Sequence, residues 1–202
     1  GGPFADIAGA TLQNYSPGPL LVTTWYRRVV NSLPCTPSIS NVVRITVNPA
    51  IANNTIAADQ TICSGDTPAP LTGTVPTGGG GAYTYQWQSS AVGAGGPFAD
   101  IAGATLQNYS PGPLLVTTWY RRVVASLPCP NSISNVVVIT VDANLIVNAG
   151  NDTIICPNTA FVTIMLGGSP TASGGTPPYT YMWLSNPGGF GGQTDANPSV
   201  TI

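Results

Sequence analysis

Apolar and polar residues alternate along most of this chain with a period of two, and no window sustains the three-four spacing of an amphipathic helix. The clearest run is Tyr83-Thr84-Tyr85-Gln86-Trp87-Gln88, which predicts a half-buried strand with Tyr83, Tyr85 and Trp87 on one face and Thr84, Gln86 and Gln88 on the other. Thr117 to Val124 and Asn135 to Val141 read as two longer strands. The turn-rich segment Ser126-Leu127-Pro128-Cys129-Pro130-Asn131 joins them into a hairpin. Upstream, Leu71 to Val75 runs into the Gly78–Gly81 loop, Thr105 to Tyr109 ends at Ser110-Pro111-Gly112-Pro113, and a short edge strand is expected near Thr55 to Cys63. About seven strands in about 92 residues predict an all-β chain of two-sheet, immunoglobulin-like sandwiches.

The pattern also repeats. Residues 1–47 match 95–141 at an offset of 94, differing only at Asn31/Ala125, Thr36/Pro130, Pro37/Asn131 and Arg44/Val138. From about residue 145 the opening of the unit returns in diverged form: Thr153-Ile154-Ile155-Cys156 echoes Gln60 to Cys63, and Tyr179 to Trp183 echoes Tyr83 to Trp87. The expected organisation is therefore residues 1–49 as the back of one domain, 50–143 as a complete domain and 144–202 as the front of a third. Such a period points to an array. The chain opens on Gly in mid-repeat, as an excerpt of a longer polypeptide would, and its linkers Asn48-Pro49-Ala50 and Asp142-Ala143-Asn144 are too short for free tumbling.

Composition narrows the function classes. Five basic and seven acidic residues are all Arg and Asp, with no Lys, Glu or His. The near-neutral balance leaves no basic surface for nucleic acid, and no run of 18 apolar residues is present to span a bilayer. With 6% charged residues the surface is poor in the repulsion that keeps a soluble monomer apart, so a protein that assembles, a homo-oligomer or filament, is expected. General acid-base and nucleophilic catalysis have few groups to use, which argues against an enzyme. Asp6 and Asp100 share one repeat position, away from any second acid in sequence, and are expected to pair with an Arg of the Arg27-Arg28 or Arg121-Arg122 strand. Lys-dependent isopeptide crosslinks are excluded by composition.

Each unit owns one Cys in its first strand (Cys63, Cys156) and one in the loop before its last strand (Cys35, Cys129). Within the complete repeat the expected disulfide is Cys63 with Cys129, adding about 4 kcal/mol by the loop-entropy argument. Cys35 and Cys156 then have partners outside the sequence or pair in trans between neighbouring molecules. With no CxxC and no His, structural zinc is not expected. Disulfides place the chain in an extracellular, oxidising setting, at the cell surface or beyond.

Three further groups of residues invite a functional reading. Trp25 and Trp119 alternate with Tyr26 and Tyr120, so one of each pair faces away from the core and could serve as a sugar platform, unless it packs under a neighbouring loop. In the third unit Met182 and Leu184 replace Gln86 and Gln88 at outward positions, and Arg44 and Val138 differ between near-identical units on the side opposite Val43/Ile45 and Val137/Ile139. These four positions define the expected assembly face, against the alternative of neutral drift. Asp142, Asn151 and Asp152 offer hard oxygen ligands for Ca2+, although the acid-rich spacing of a dedicated site is absent and turn chemistry accounts for the same residues.

Taken together, Thr61-Ile62-Cys63, Tyr85 to Ser90, Phe98 to Thr105, Thr117 to Val124, Cys129 and Ser134 to Val137 resemble the immunoglobulin-like repeats of very large secreted surface proteins of Bacteroidota. The third unit, with Asn148 to Cys156 and Gly174 to Trp183, looks like repeats of gliding-motility adhesins from that group. The resemblance implies type IX secretion, attachment at the cell surface, and a role in adhesion, gliding or filamentous appendages, including those used to catch prey; other cells and surface glycans are the implied partners. Asp152-Thr153-Ile154 also looks like the short motif at which that phylum attaches O-glycans, on Thr153. The expected function is a structural stalk or assembly scaffold. The alternatives are a carbohydrate-binding module array, and the accessory array of a secreted hydrolase whose chemistry lies elsewhere.

Overall fold

A computed structural model describes residues 3–155, 162–186 and 193–201, and among them there is no helix. The chain is all-β. The first stretch forms β1 (Thr24–Tyr26), β2 (Val29–Ser32), β3 (Cys35–Ile39) and β4 (Val43–Ile45). The complete repeat forms β5 (Ile56–Ala57), β6 (Gln60–Cys63), β7 (Thr72–Gly73), β8 (Thr84–Ser90), β9 (Ala99–Asp100), β10 (Thr118–Ser126), β11 (Cys129–Ile133) and β12 (Val137–Asp142). The last stretch forms β13 (Ile146–Val147), β14 (Thr163–Met165), β15 (Ala172–Ser173) and β16 (Ser199–Thr201).

In the complete repeat the large sheet runs β6-β12-β10-β8-β9, with β11 also paired to β10. Every pairing in it is antiparallel except β6 with β12, which is parallel, Cys63 falling opposite Asp142. The central strand is β10, whose nine residues alternate strictly between buried and partly exposed. Thr118, Tyr120, Arg122, Val124 and Ser126 face inward, so Trp119, Arg121, Val123 and Ala125 face out. The small sheet pairs β5 with β7, and a bridge from Leu71 to Tyr109 ties a further segment to it.

The core lies where the inward residues of the two sheets meet. Ile56 and Leu71 from the small-sheet side cluster with Trp87, Ala104, Tyr120, Val137 and Ile139. The expected strand at Tyr83–Gln88 is β8, and Trp87 is fully buried in it, as alternation predicts. Its indole N–H donates to Leu106 O at 3.0 Å, and its ring lies 5.8 Å from Tyr109, itself 5.9 Å from Tyr120. Burying a side chain of this size contributes about 3 kcal/mol, provided the indole N–H keeps its acceptor. The ladder breaks between β11 and β12, and side chains fill the gap. Arg122 N–H donates to Ser134 Oγ, while the Asn135 amide exchanges two bonds with the backbone of Ile56, clamping β5 onto the large sheet.

Arg122 has no solvent exposure at all. Two adjacent arginines on a strand place one on each face, and here the inward one enters the core. Its Nε and Nη2 donate to Asn54 Oδ1 at 3.1 and 2.9 Å, Nη1 to Gln107 O at 2.8 Å and Nη2 to Thr74 O at 2.9 Å. The guanidinium also sits 5.1 Å from the Tyr85 ring centroid. These four bonds involve an amide and two carbonyls, so the cost of desolvating the charge is offset by dipoles. Burial pulls the Arg122 pKa down, and the Tyr85 ring acts against that pull. Gly73 makes room for it: a Cβ there would collide with Nη1 and Cζ of Arg122.

The structure corrects three expectations. Asp100 does not pair with Arg121 or Arg122; its Oδ1 accepts from Gln88 Nε2 at 2.7 Å, and Gln88 Oε1 in turn accepts from Arg121 Nε at 2.6 Å. Gln88 lies between them because Arg121 and Gln88 are direct cross-strand partners on β10 and β8. Cys63 and Cys129 are both free thiols and not a disulfide. Cys129 lies opposite Ser126 at one end of β10, whereas Cys63 lies opposite Asp142, beyond the Thr118 end. Along the ladder that separation is about 36 Å, and a disulfide needs Cα atoms within about 7 Å. Cys35 is likewise free, and Cys156 lies outside the described residues. In the third stretch, Tyr179 to Ser185 is not a strand. Among the described residues no strand pairs with it as β10 pairs with β8, and a strand needs a ladder.

The first stretch repeats the second locally. Val29 pairs Ile39, and Trp25 pairs Arg44, in the registers of Val123 with Ile133 and Trp119 with Val138. Among the described residues no strand pairs with β2 as β8 pairs with β10, and Val30 is 50% exposed where Val124 is 0%.

Candidate binding and assembly face

The outward face of the large sheet carries most of the residues singled out from the sequence. Trp119 projects from β10 with Ser90 of β8 and Val138 of β12 as its cross-strand partners. Two residues along, Arg121 lies over the Phe98 ring at 4.2 Å from its centroid and is held from below by Gln88. Asp100 completes the row through Gln88. A cation seated on a ring and fixed by an amide loses little further entropy when a partner stacks on it.

The arrangement recurs in the first stretch. Arg27 lies 4.3 Å from the centroid of Phe4, and Trp25, 47% exposed, pairs across to Arg44. The platform residues Trp25 and Trp119 are thus direct neighbours of Arg44 and Val138, positions that alternation along single strands leaves as separate groups. Of the positions that differ between copies, Arg44/Val138 sits directly across from the outward Trp. A Trp–Val pair presents a flat apolar surface, and a Trp–Arg pair a cation beside the ring.

Elsewhere the sequence-derived positions fall as follows. Met182 and Leu184 are 73% and 79% exposed, on the segment that is not a strand. Their counterparts Gln86 and Gln88 are partly buried and hydrogen-bonded, Gln86 Nε2 donating to Ile101 O at 2.9 Å. Thr153 is exposed. The Asp142 carboxylate accepts a hydrogen bond from Thr176, Asn151 and Asp152 are exposed, and among the described residues no three His, Cys, Asp or Glu side chains converge to hold a metal. A cavity of about 320 Å³ is lined by Ile7 to Ala10, Leu12, Asn14, Tyr15 and Ser16. The matching residues of the complete repeat, Ala104 and Leu106 among them, accept the backbone and indole N–H groups of Trp87. The hollow has the position of a tryptophan seat.

Sequence reasoning named Arg121 as a partner for Asp100 and Gln88 as an outward position, but joined neither to Phe98. Their signal was available: Phe4 and Phe98, and Arg27 and Arg121, occupy matching repeat positions, but pairing them requires knowing that β9 folds back beside β8. Burial raises the pKa of inward-facing Tyr120 from 10.0 to about 12, with neighbouring Tyr109 adding to the effect.

Comparison with known proteins gives one family. The model described as Domain of unknown function (DUF8696) matches residues 1–49 and again 52–143. No curated protein matches the chain. Among the described residues no helix is long and apolar enough to cross a membrane.

Proposed function

The chain belongs to this family of domains of unknown function, and we propose that it is a structural repeat region: immunoglobulin-like sandwiches in series, forming the stalk of an extracellular filament or cell-surface adhesin. The observation that carries this reading is the way successive units meet. Gly79 N–H donates to Pro49 O at 2.8 Å, and Gly175 N–H donates to Ala143 O at 2.6 Å. Gly78 and Gly174 lie so close to the carbonyls of Ala50 and Asn144 that neither has room for a side chain. Tyr83 and Tyr179 hold the two loops alike, each hydroxyl donating to the glycine carbonyl at 2.7 Å. One glycine loop therefore seats on the linker at both junctions. A linker held at both junctions transmits orientation and suits a stalk under tension.

The resemblance to type IX-secreted adhesins and gliding proteins fits such a stalk, as do low charge and outward aromatics suited to lateral contact between strands of a filament. Met182, Leu184, Arg44 and Val138 are the positions at which neighbours would differ, and Thr153 is where an O-glycan would be attached. The chain carries no chemistry of its own in this reading. An antibody to residues 50–143 is expected to decorate fibres on intact cells; label appearing only after permeabilisation would sink the proposal.

A carbohydrate-binding module is the second reading, favoured by Trp119 beside the Arg121–Phe98 stack. Glycan binding that disappears in Trp119→Ala with the melting temperature retained would establish it over a passive stalk.

A further inference from the structure

Because Cys63 and Cys129 stand at opposite poles of the complete repeat, the question becomes what each one faces. Cys129 is at the entry pole. Its Sγ lies 3.7 Å from Pro49 O, in the linker from the preceding unit. The glycine loop shares that pole: Gly80 N–H donates to Ser126 Oγ at 2.8 Å, and Gly80 closes on the carbonyl of Leu127. Cys63 is at the exit pole. It is exposed, opposite Asp142 in the parallel register, and Ser64 N–H donates to Asp142 O at 2.8 Å.

The two poles are complementary halves of one junction. At the entry pole, Pro49 follows Asn48, which is the repeat counterpart of Asp142. In the preceding unit, the first-strand cysteine would pair in register with Asn48 as Cys63 does with Asp142, one residue from the Pro49 carbonyl that Cys129 touches. At the exit pole the third unit has already placed its own glycine loop. Thr176, the counterpart of Gly80, hydrogen-bonds the carboxylate of Asp142. A β10–β11 turn on the third unit would close over Thr176 as Leu127 closes over Gly80, bringing its cysteine to Asp142 and hence to Cys63.

We infer that the cysteines staple successive units together: the β6 cysteine of each unit forms a disulfide with the β10–β11 turn cysteine of the unit that follows it. Cys63 pairs with the turn cysteine of the next unit, and Cys129 with the first-strand cysteine of the one before. The inference rests on the tandem, extracellular reading. Two thiols lose two protons and two electrons, and a thiol–disulfide oxidoreductase accepts both, its disulfide leaving as a dithiol. Every junction would then carry a covalent link beside the peptide chain, so that pulling on the array loads the hinge in parallel with the linker.

The native polypeptide, alkylated without reduction and cleaved on the N-terminal side of Asp, releases Cys63 in fragment 59–65 and Cys129 in fragment 100–141. The expected result is 59–65 disulfide-linked to a turn fragment of another repeat, and 100–141 linked to a first-strand fragment of another repeat. A 59–65 to 100–141 crosslink, or both cysteines recovered alkylated, would overturn the inference. In dilute oxidising buffer the 202-residue chain should retain Cys63 and Cys129 as thiols, and an intrachain bridge between them would overturn it equally. Fibres that assemble with free thiols would defeat the inference and leave the stalk standing. Inter-repeat disulfides in a polypeptide confined within cells would do the reverse.

Discussion

Asn54→Leu tests the most unusual feature of the core. The Asn54 amide oxygen accepts two of the four side-chain hydrogen bonds of buried Arg122, and its nitrogen donates to Ser132 O at 2.9 Å. Leucine retains the volume but leaves the guanidinium with only Gln107 O and Thr74 O. Hydrogen bonds to a charged group contribute about 1.5–3 kcal/mol each, and stripping a partner from a buried charge costs about 3–5 kcal/mol. Two lost bonds that share one acceptor do not add fully, so a loss of about 3–4 kcal/mol is expected. For a domain of this size that is a fall of roughly 15–25 °C in melting temperature. The assay is urea and thermal unfolding of the complete repeat, followed by tryptophan fluorescence. Arg122→Met supplies the control, because an apolar pair leaves no stranded charge, so the Asn54→Leu/Arg122→Met double variant should be more stable than Asn54→Leu alone. A cost below about 1 kcal/mol, or a double variant no better than the single, would refute the view that Asn54 neutralises the cost of burying Arg122.

Gly73→Ala should destabilise by about 2–3 kcal/mol, since the new methyl meets the Arg122 guanidinium and the Gln107 carbonyl; an unchanged melting temperature would contradict the packing described. Tyr120 holds its proton more tightly folded than unfolded, so its contribution to stability is complete below pH 10, and falls as pH rises from 10 to about 12, which unfolding midpoints across that range would reveal. Replacing Met182 and Leu184 with Gln should weaken assembly without changing the circular dichroism spectrum, because both side chains are exposed; unaltered sedimentation would remove them from the interface.

How much of this was legible beforehand depended on whether the determinant was local. The alternation that buries Trp87 is a property of six consecutive residues, so period-two reading suffices there; it also sets Trp119 and Tyr120 on opposite faces, but which of them enters the core is decided by the fold. Arg122 in the core was not legible, because its tolerance rests on Asn54, Thr74 and Gln107, brought together only by the fold. The disulfide expectation failed for a related reason. Pairing two cysteines because one repeat contains both ignores which ends of the strands they occupy, and the parallel pairing of β6 with β12 sends Cys63 to the exit pole. The face formed by Trp119, Val138, Arg121 and Phe98 was legible in pieces. Val138 and Trp119 each drew notice, but only the registers of β10 against β12 and β8 make them one surface.

If the units stack into a held, extended array, the length of the native polypeptide in electron micrographs follows from the length of one unit. From the entry-pole turn to the end of β12 one unit spans about 36 Å, so particles should be thin rods whose length grows by about that amount per repeat. Compact particles whose longest dimension does not increase with the number of repeats would contradict the account.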